Sequence, residues 1–195
     1  MHLTPKMVIQ FWQDMMTRFQ TRTCLKTDSL RMRATAQMLG MIRLMDAPTF
    51  MERYTTVWGH TIYTPFVIGQ GSDQDTLWWQ IVVCVHEHQH VVQFDRDGFL
   101  PYGVRYVLSS RRRAILEAEA YLCNIELHYR RHRELPDLDA LAARLGPYGC
   151  CPEDVARARA IFEEAAPRIA AGEIVTEAGR AAIDLLEKLS NDSLP

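Results

Sequence analysis

The stretch Ile81-Val82-Val83-Cys84-Val85-His86-Glu87-His88-Gln89-His90 sets two histidines four residues apart behind an almost wholly apolar run. On a helix, side chains at that spacing differ by about 40° around the axis, so His86 and His90 project side by side. Two imidazole nitrogens so placed can reach one Zn2+ at roughly 2.0–2.1 Å. Glu87 falls at the edge of the same face. There a carboxylate can take a proton from water activated by the metal and later pass it to a leaving amine. Neutral nitrogens bind the metal and a free carboxylate moves protons, so the chemistry needs both residue types.

Two conformations compete for this stretch. Its β-branched residues favour a strand, which would turn His86, His88 and His90 to one face as a three-histidine metal site. Length favours a helix, because residues 73–96 run without a turn signal and strands usually span about 3–10 residues. Ser72 reads as the N-cap with Asp75 as its capping-box partner, and Gly98 reads as the stop. Trp78, Trp79 and residues 81–85 then make a helix buried on most sides. On that helix His88 turns away from the metal, as a packed or solvated histidine.

A third protein ligand is needed. The best region is residues 110–121, the start of a long amphipathic helix predicted to reach about residue 133, with Ile115, Ala118, Leu122, Ile125 and Tyr129 as its buried stripe. Glu117 and Glu119 each flank that stripe, and periodicity alone does not choose between them. Tyr121, Asn124 and His128 follow Glu117 at helical spacing as a polar stripe, which also describes a solvated face.

With these residues in place, the chain resembles a small gluzincin-type metallopeptidase, in which two histidines of H-E-x-x-H and a glutamate on a later helix hold zinc. CAAX prenyl proteases and bacterial antirepressor-cleaving proteases carry that glutamate in Glu-x-x-Ala-Asp or Glu-x-x-Ala-Asn. Here Glu117-Ala118-Glu119-Ala120-Tyr121 matches, with Tyr as the last residue. The resemblance implies Zn2+ held by His86, His90 and Glu117, with Glu119 the fallback. It also implies Glu87 as general base and then acid, and a peptide or protein substrate. Tyr121, Tyr106, Arg105 and His128 are the candidates for a hydrogen bond to the reacting carbonyl, and Tyr121 also fits a packing role. The likeness spans roughly residues 50–130. The implied fold is α+β and zincin-like, a small sheet or hairpin packed on a central active-site helix with a mostly helical C-terminal part.

Residues 53–58 and 61–66 read as a hairpin joined at Gly59-His60. Pro65 cannot donate a ladder hydrogen bond, so the second strand is expected at an edge or to end there. An edge at residues 61–66 would be a shelf for an extended peptide, or the hairpin merely covers the core. Residues 1–20 form an amphipathic helix with Phe11, Trp12, Met15 and Phe19, without the features of a signal peptide. After Pro136, residues 137–145, 152–171 and 176–189 read as Ala-, Leu- and Glu-rich helices, with Pro152 at a first helical position and Thr176 an N-cap. The expected division is a metallopeptidase domain over residues 1–135 and a helical extension over 136–195, the latter also a possible surface for a protein partner.

The 195 residues are 48% hydrophobic, enough for one good core, and carry a net charge of −2. Near-balanced charge offers no field to recruit nucleic acid or acidic membrane. Arg111-Arg112-Arg113 and Arg130-Arg131-His132-Arg133 read as solvated faces. No apolar run approaches a membrane span. Five cysteines, with no Cys-x-x-Cys pair, read as reduced thiols. These features point to a cytoplasmic protein. Two further classes stand beside the peptidase: a non-catalytic zinc-containing regulatory or interaction protein acting through its C-terminal helices, and a hydrolase of some other amide.

Overall fold

The motif stretch is helical. In the computed structural model, which describes residues 2–41, 46–98 and 106–191, a continuous helix of 24 residues covers Gln74–Asp97. That overturns the three-histidine strand: burial along a long helix outweighs the β preference of Ile81–Val85, a preference that reflects packing context more than backbone. The cap lies one residue later than predicted, at Asp73, whose carboxylate accepts the Thr76 N–H at 2.7 Å. At the far end Gly98, at φ 80°, donates its N–H to the Phe94 carbonyl at 2.8 Å, the left-handed stop that glycine permits.

In chain order the elements are α1 (Pro5–Arg18), β1 (Arg22–Leu25), a 3₁₀ turn (Lys26–Asp28), α2 (Leu30–Met41), α3 (Ala47–Arg53), β2 (Thr56–Trp58), β3 (Thr61–Thr64), α4 (Gln74–Asp97), α5 (Ser110–His132), α6 (Leu138–Ala143), a second 3₁₀ turn (Gly146–Tyr148), α7 (Pro152–Ala170) and α8 (Glu177–Asn191). The chain is thus mostly helical α+β with a small mixed sheet. It divides into two compact units, Met1–Glu87 and His88–Pro195, and the division falls inside α4. None of the described helices is long and apolar enough to cross a membrane.

In the first unit, α1 buries Val8, Phe11, Trp12 and Met15, with Phe19 left at its C-cap. The Trp12 indole N–H donates to the Gln80 carbonyl at 3.2 Å. Gln74 clamps Leu3, accepting its N–H at 2.8 Å and donating to its carbonyl at 2.9 Å. The strand order is β1-β3-β2, with β1 parallel and β2 antiparallel to β3. The hairpin is therefore present, with Gly59 at φ 60° in its turn, but its second strand is not an edge. β3 is paired on both sides and all four of its residues are buried, so residues 61–64 offer no open ladder for a peptide. Pro65 ends that strand. Trp79 is also an exception to the expectation of burial on most sides: it is exposed, with its ring 4.8 Å from that of Phe66.

In the second unit, α5 and α7 share a core of Ala118, Tyr121, Ile125, Leu145, Phe162 and Ile169. α5 buries more than its predicted stripe. Arg113, Leu116, Glu117, Tyr121, Cys123 and Glu126 are all inside, whereas Ile115, Leu122 and Tyr129 are half-buried. Pro152 opens α7 as predicted. Thr176 caps α8, its hydroxyl accepting the Gly179 N–H at 3.0 Å.

Candidate metal centre

One turn of α4 separates His86 from His90, and α5 supplies Glu117. One ligand atom from each of the three lies within 4.8 Å of the others, so the group could hold a metal ion. All three side chains are buried: His86 is 8% exposed, His90 6% and Glu117 1%. Among the described residues no second such group of three occurs. His88, fully buried, is packed and stands outside the group.

The contacts around Glu117 suit a cation. Its Oε1 is 3.5 Å from His90 Nε2 and accepts the Tyr106 hydroxyl at 2.6 Å. Its Oε2 is buried and accepts no hydrogen bond from the described residues. A buried carboxylate is costly unless paired, and a cation among these donors would offset that cost. Two imidazoles and a carboxylate are donors of the kind that divalent transition metals accept.

Glu119 is engaged elsewhere. Its Oε2 accepts from Arg96 Nη1 at 2.9 Å and from Gln93 Nε2 at 3.1 Å. Helical periodicity left the two glutamates equivalent, and the hydrogen bonds distinguish them. Behind His90, Gln93 Oε1 lies 2.9 Å from Nδ1, and Gln93 Nε2 donates to the Leu116 carbonyl at 2.7 Å.

Glu87 is 7% exposed. Its negative charge acts on two groups of its own unit. Lys26 is fully buried, with Nζ donating to the Phe50 carbonyl at 2.7 Å and standing 3.5 Å over the Phe50 ring. Burial pulls the Lys26 ammonium down to about 7, against the opposing pull of Glu87. Cys84 is buried as expected, and burial, then Glu87, pushes its thiol well above the usual range.

The four donor candidates fare differently. Tyr106 touches the group through Glu117, and its ring stands edge-on to His90 at 6.5 Å. Tyr121 is buried in the core of its unit, with its ring edge-on to Phe162 at 6.3 Å. His128 stacks on His132 at 4.5 Å, and burial followed by the His132 charge lowers it. Arg105 lies outside the described residues.

Tyr106 is anchored by Arg113, whose place in an arginine triplet predicts a solvated side chain. Arg113 is buried, unlike exposed Arg111 and Arg112. Its guanidinium donates to the carbonyls of Tyr106 at 2.6 Å, Tyr148 at 2.7 Å, Gly149 at 3.2 Å and Val107 at 3.3 Å. Helical position contained a signal, since Arg113 stands four residues before Glu117 on the same face. Gln93 carried a similar one at three residues after His90. Lys26 carried none, because its environment is made by Phe50 and Glu87, distant in sequence. A scan of family models, a search of curated proteins and a search of solved structures each find no match to this chain.

Proposed function

We propose that the chain is a zinc-dependent peptidase with a gluzincin-like site. The observation that carries this reading is the convergence of His86, His90 and Glu117, with Glu87 next to the first ligand in sequence and kept out of the ligand group. A purely structural site has no use for such a carboxylate.

His86, His90 and Glu117 would hold zinc, which supplies Lewis acidity toward a carbonyl oxygen and toward water. A carboxylate oxygen of Glu87 takes the proton from the attacking water and returns it to the leaving nitrogen. The Tyr106 hydroxyl, already beside Glu117, is the leading donor to the oxyanion of the tetrahedral intermediate, with Tyr121 the alternative. Burial strengthens each of these interactions by excluding water.

A non-catalytic metal site is a second reading, favoured by the low exposure of every member including Glu87. One set of measurements separates them. Elemental analysis of protein purified without added metal should give near-stoichiometric zinc in wild type, with sharp loss in His90→Ala and Glu117→Ala but not in Glu119→Ala. Peptide hydrolysis that Glu87→Gln abolishes with zinc retained supports the peptidase. Zinc without hydrolysis of any peptide library supports the second reading, and no metal under any loading condition ends both.

A further inference from the structure

The hydrogen bonds behind His90 contain enough information to fix its proton. Gln93 Oε1 and His90 Nδ1 are 2.9 Å apart. Which end of an amide faces a neighbour is decided by what the other end meets. Here the other end meets two acceptors, the Leu116 carbonyl at 2.7 Å and Glu119 Oε2 at 3.1 Å. Neither has a proton to give when Glu119 is ionised. The Gln93 nitrogen therefore points at them and its oxygen points at His90. Glu119 is itself held by Arg96 at 2.9 Å. Gln93 is fully buried, so no bulk water substitutes for either partner.

We propose that Gln93 is a positioning residue that holds neutral His90 as the Nδ1–H tautomer. Nε2 is then left with its lone pair on the side of Glu117, whose Oε1 lies 3.5 Å from it. The reverse tautomer would aim a lone pair at the Gln93 oxygen 2.9 Å away and gain only a contact to Glu117 at 3.5 Å, longer than a good N–H···O hydrogen bond of about 2.7–3.2 Å. The use of this arrangement, a ligand nitrogen presented ready for metal, rests on the metal-site reading. The tautomer itself does not.

The test is long-range proton–nitrogen NMR of the His90 ring in metal-free protein, recorded well above the ordinary imidazole pKa of about 6.5. Wild type should show a protonated Nδ1 and a bare Nε2. A protonated Nε2 in wild type overturns the proposal without any variant. Gln93→Leu, which keeps bulk and removes the acceptor, should redistribute the tautomers and weaken zinc binding about 10- to 100-fold. Glu119→Ala should weaken it less, because Leu116 still orients the amide. Unchanged tautomer and unchanged affinity in a folded Gln93→Leu protein would also overturn it. If wild type binds no metal yet Gln93→Leu shifts the tautomer, the metal-site reading fails and this inference stands.

Discussion

Glu126 occupies the space that a side chain at Gly179 would need. A methyl group added at Gly179 would overlap the Glu126 carboxylate and the Thr176 hydroxyl. That carboxylate accepts the Val175 N–H at 2.5 Å, the Thr176 N–H at 2.9 Å and the Thr176 hydroxyl at 2.5 Å. The same first turn of α8 reaches the motif, since Ala178 N–H donates to Gln89 Oε1 at 3.2 Å. A missing side chain thus lets α8 dock beside the turn that carries His90.

Gly179→Ala is accordingly expected to break the usual rule. In a helix that change normally stabilises by about 1 kcal/mol, but here overpacking should make it destabilising by about 1–3 kcal/mol. Urea unfolding midpoints give the sign. The double variant with Glu126→Ala should be less unstable than the two single effects added together, because the clash is removed with the carboxylate. A stabilised Gly179→Ala protein would show that Glu126 does not fill this space.

Lys26 gives the stability of the first unit a pH dependence. Its folded pKa of about 7 lies below the ordinary value of 10.5, mainly through burial. Between those values the unfolded chain binds the extra proton, so stability rises with pH across the window and the full cost of the buried charge is felt below about 7. Lys26→Met should remove this slope. Unfolding of both proteins at neutral pH and near pH 9.5 (about one unit below the ordinary lysine value) tests it. The variant's relative advantage should shrink as pH rises. A constant difference would mean that Lys26 keeps an ordinary proton affinity.

Arg113→Met should cost about 2–4 kcal/mol, since it strands several carbonyls that are now satisfied. It also releases the backbone at Tyr106. On the peptidase reading, turnover should fall in both Arg113→Met and Tyr106→Phe while zinc content is retained, and Tyr106→Phe should lower the melting temperature less than Arg113→Met, because it removes one hydrogen bond to Glu117 rather than several. Loss of metal from Tyr106→Phe would move its role from the reacting carbonyl to the ligand set.

Thiol chemistry should report burial directly. Cys84, Cys123 and Cys150 are buried, and Cys24 and Cys151 are exposed. Burial pushes the Cys123 thiol above its ordinary value and does the same for Cys150, so both should resist an aromatic disulfide reagent until unfolding. Cys151 should lag behind Cys24, because hydrogen bonding to the Glu153 carboxylate raises it. Rapid labelling of more than two thiols in native protein would contradict this order.

Much of this arrangement could be read from local pattern. The spacing of His86 and His90, the stop at Gly98, the cap at Thr176 and the α1 residues Phe11, Trp12 and Met15 all follow from relations within one or two helical turns. β1 was missed because Arg22-Thr23-Cys24-Leu25 is short, alternates weakly and gains its identity from pairing with β3. That pairing also turned the expected edge into the centre of the sheet. Arg113 is hard to place because a run of three arginines looks solvated, and the carbonyls at 106, 107, 148 and 149 help make its burial tolerable. Glu117 and Glu119 are symmetric about the apolar stripe, and Arg96 and Gln93 break the tie from another helix.

The parallel pairing of β1 with β3 sets an order of events during synthesis. Arg22 and Thr61 are 39 residues apart, whereas β2 and β3 meet across the turn at Gly59. At about 5–20 residues per second, β1 leaves the ribosome roughly 2–8 s before its partner strand is complete. The hairpin closes within about 10 μs once both its strands are free. The segment of β1 therefore waits as unpaired chain, in which Arg22 and Thr23, one charged and one polar, disfavour pairing with a neighbouring chain.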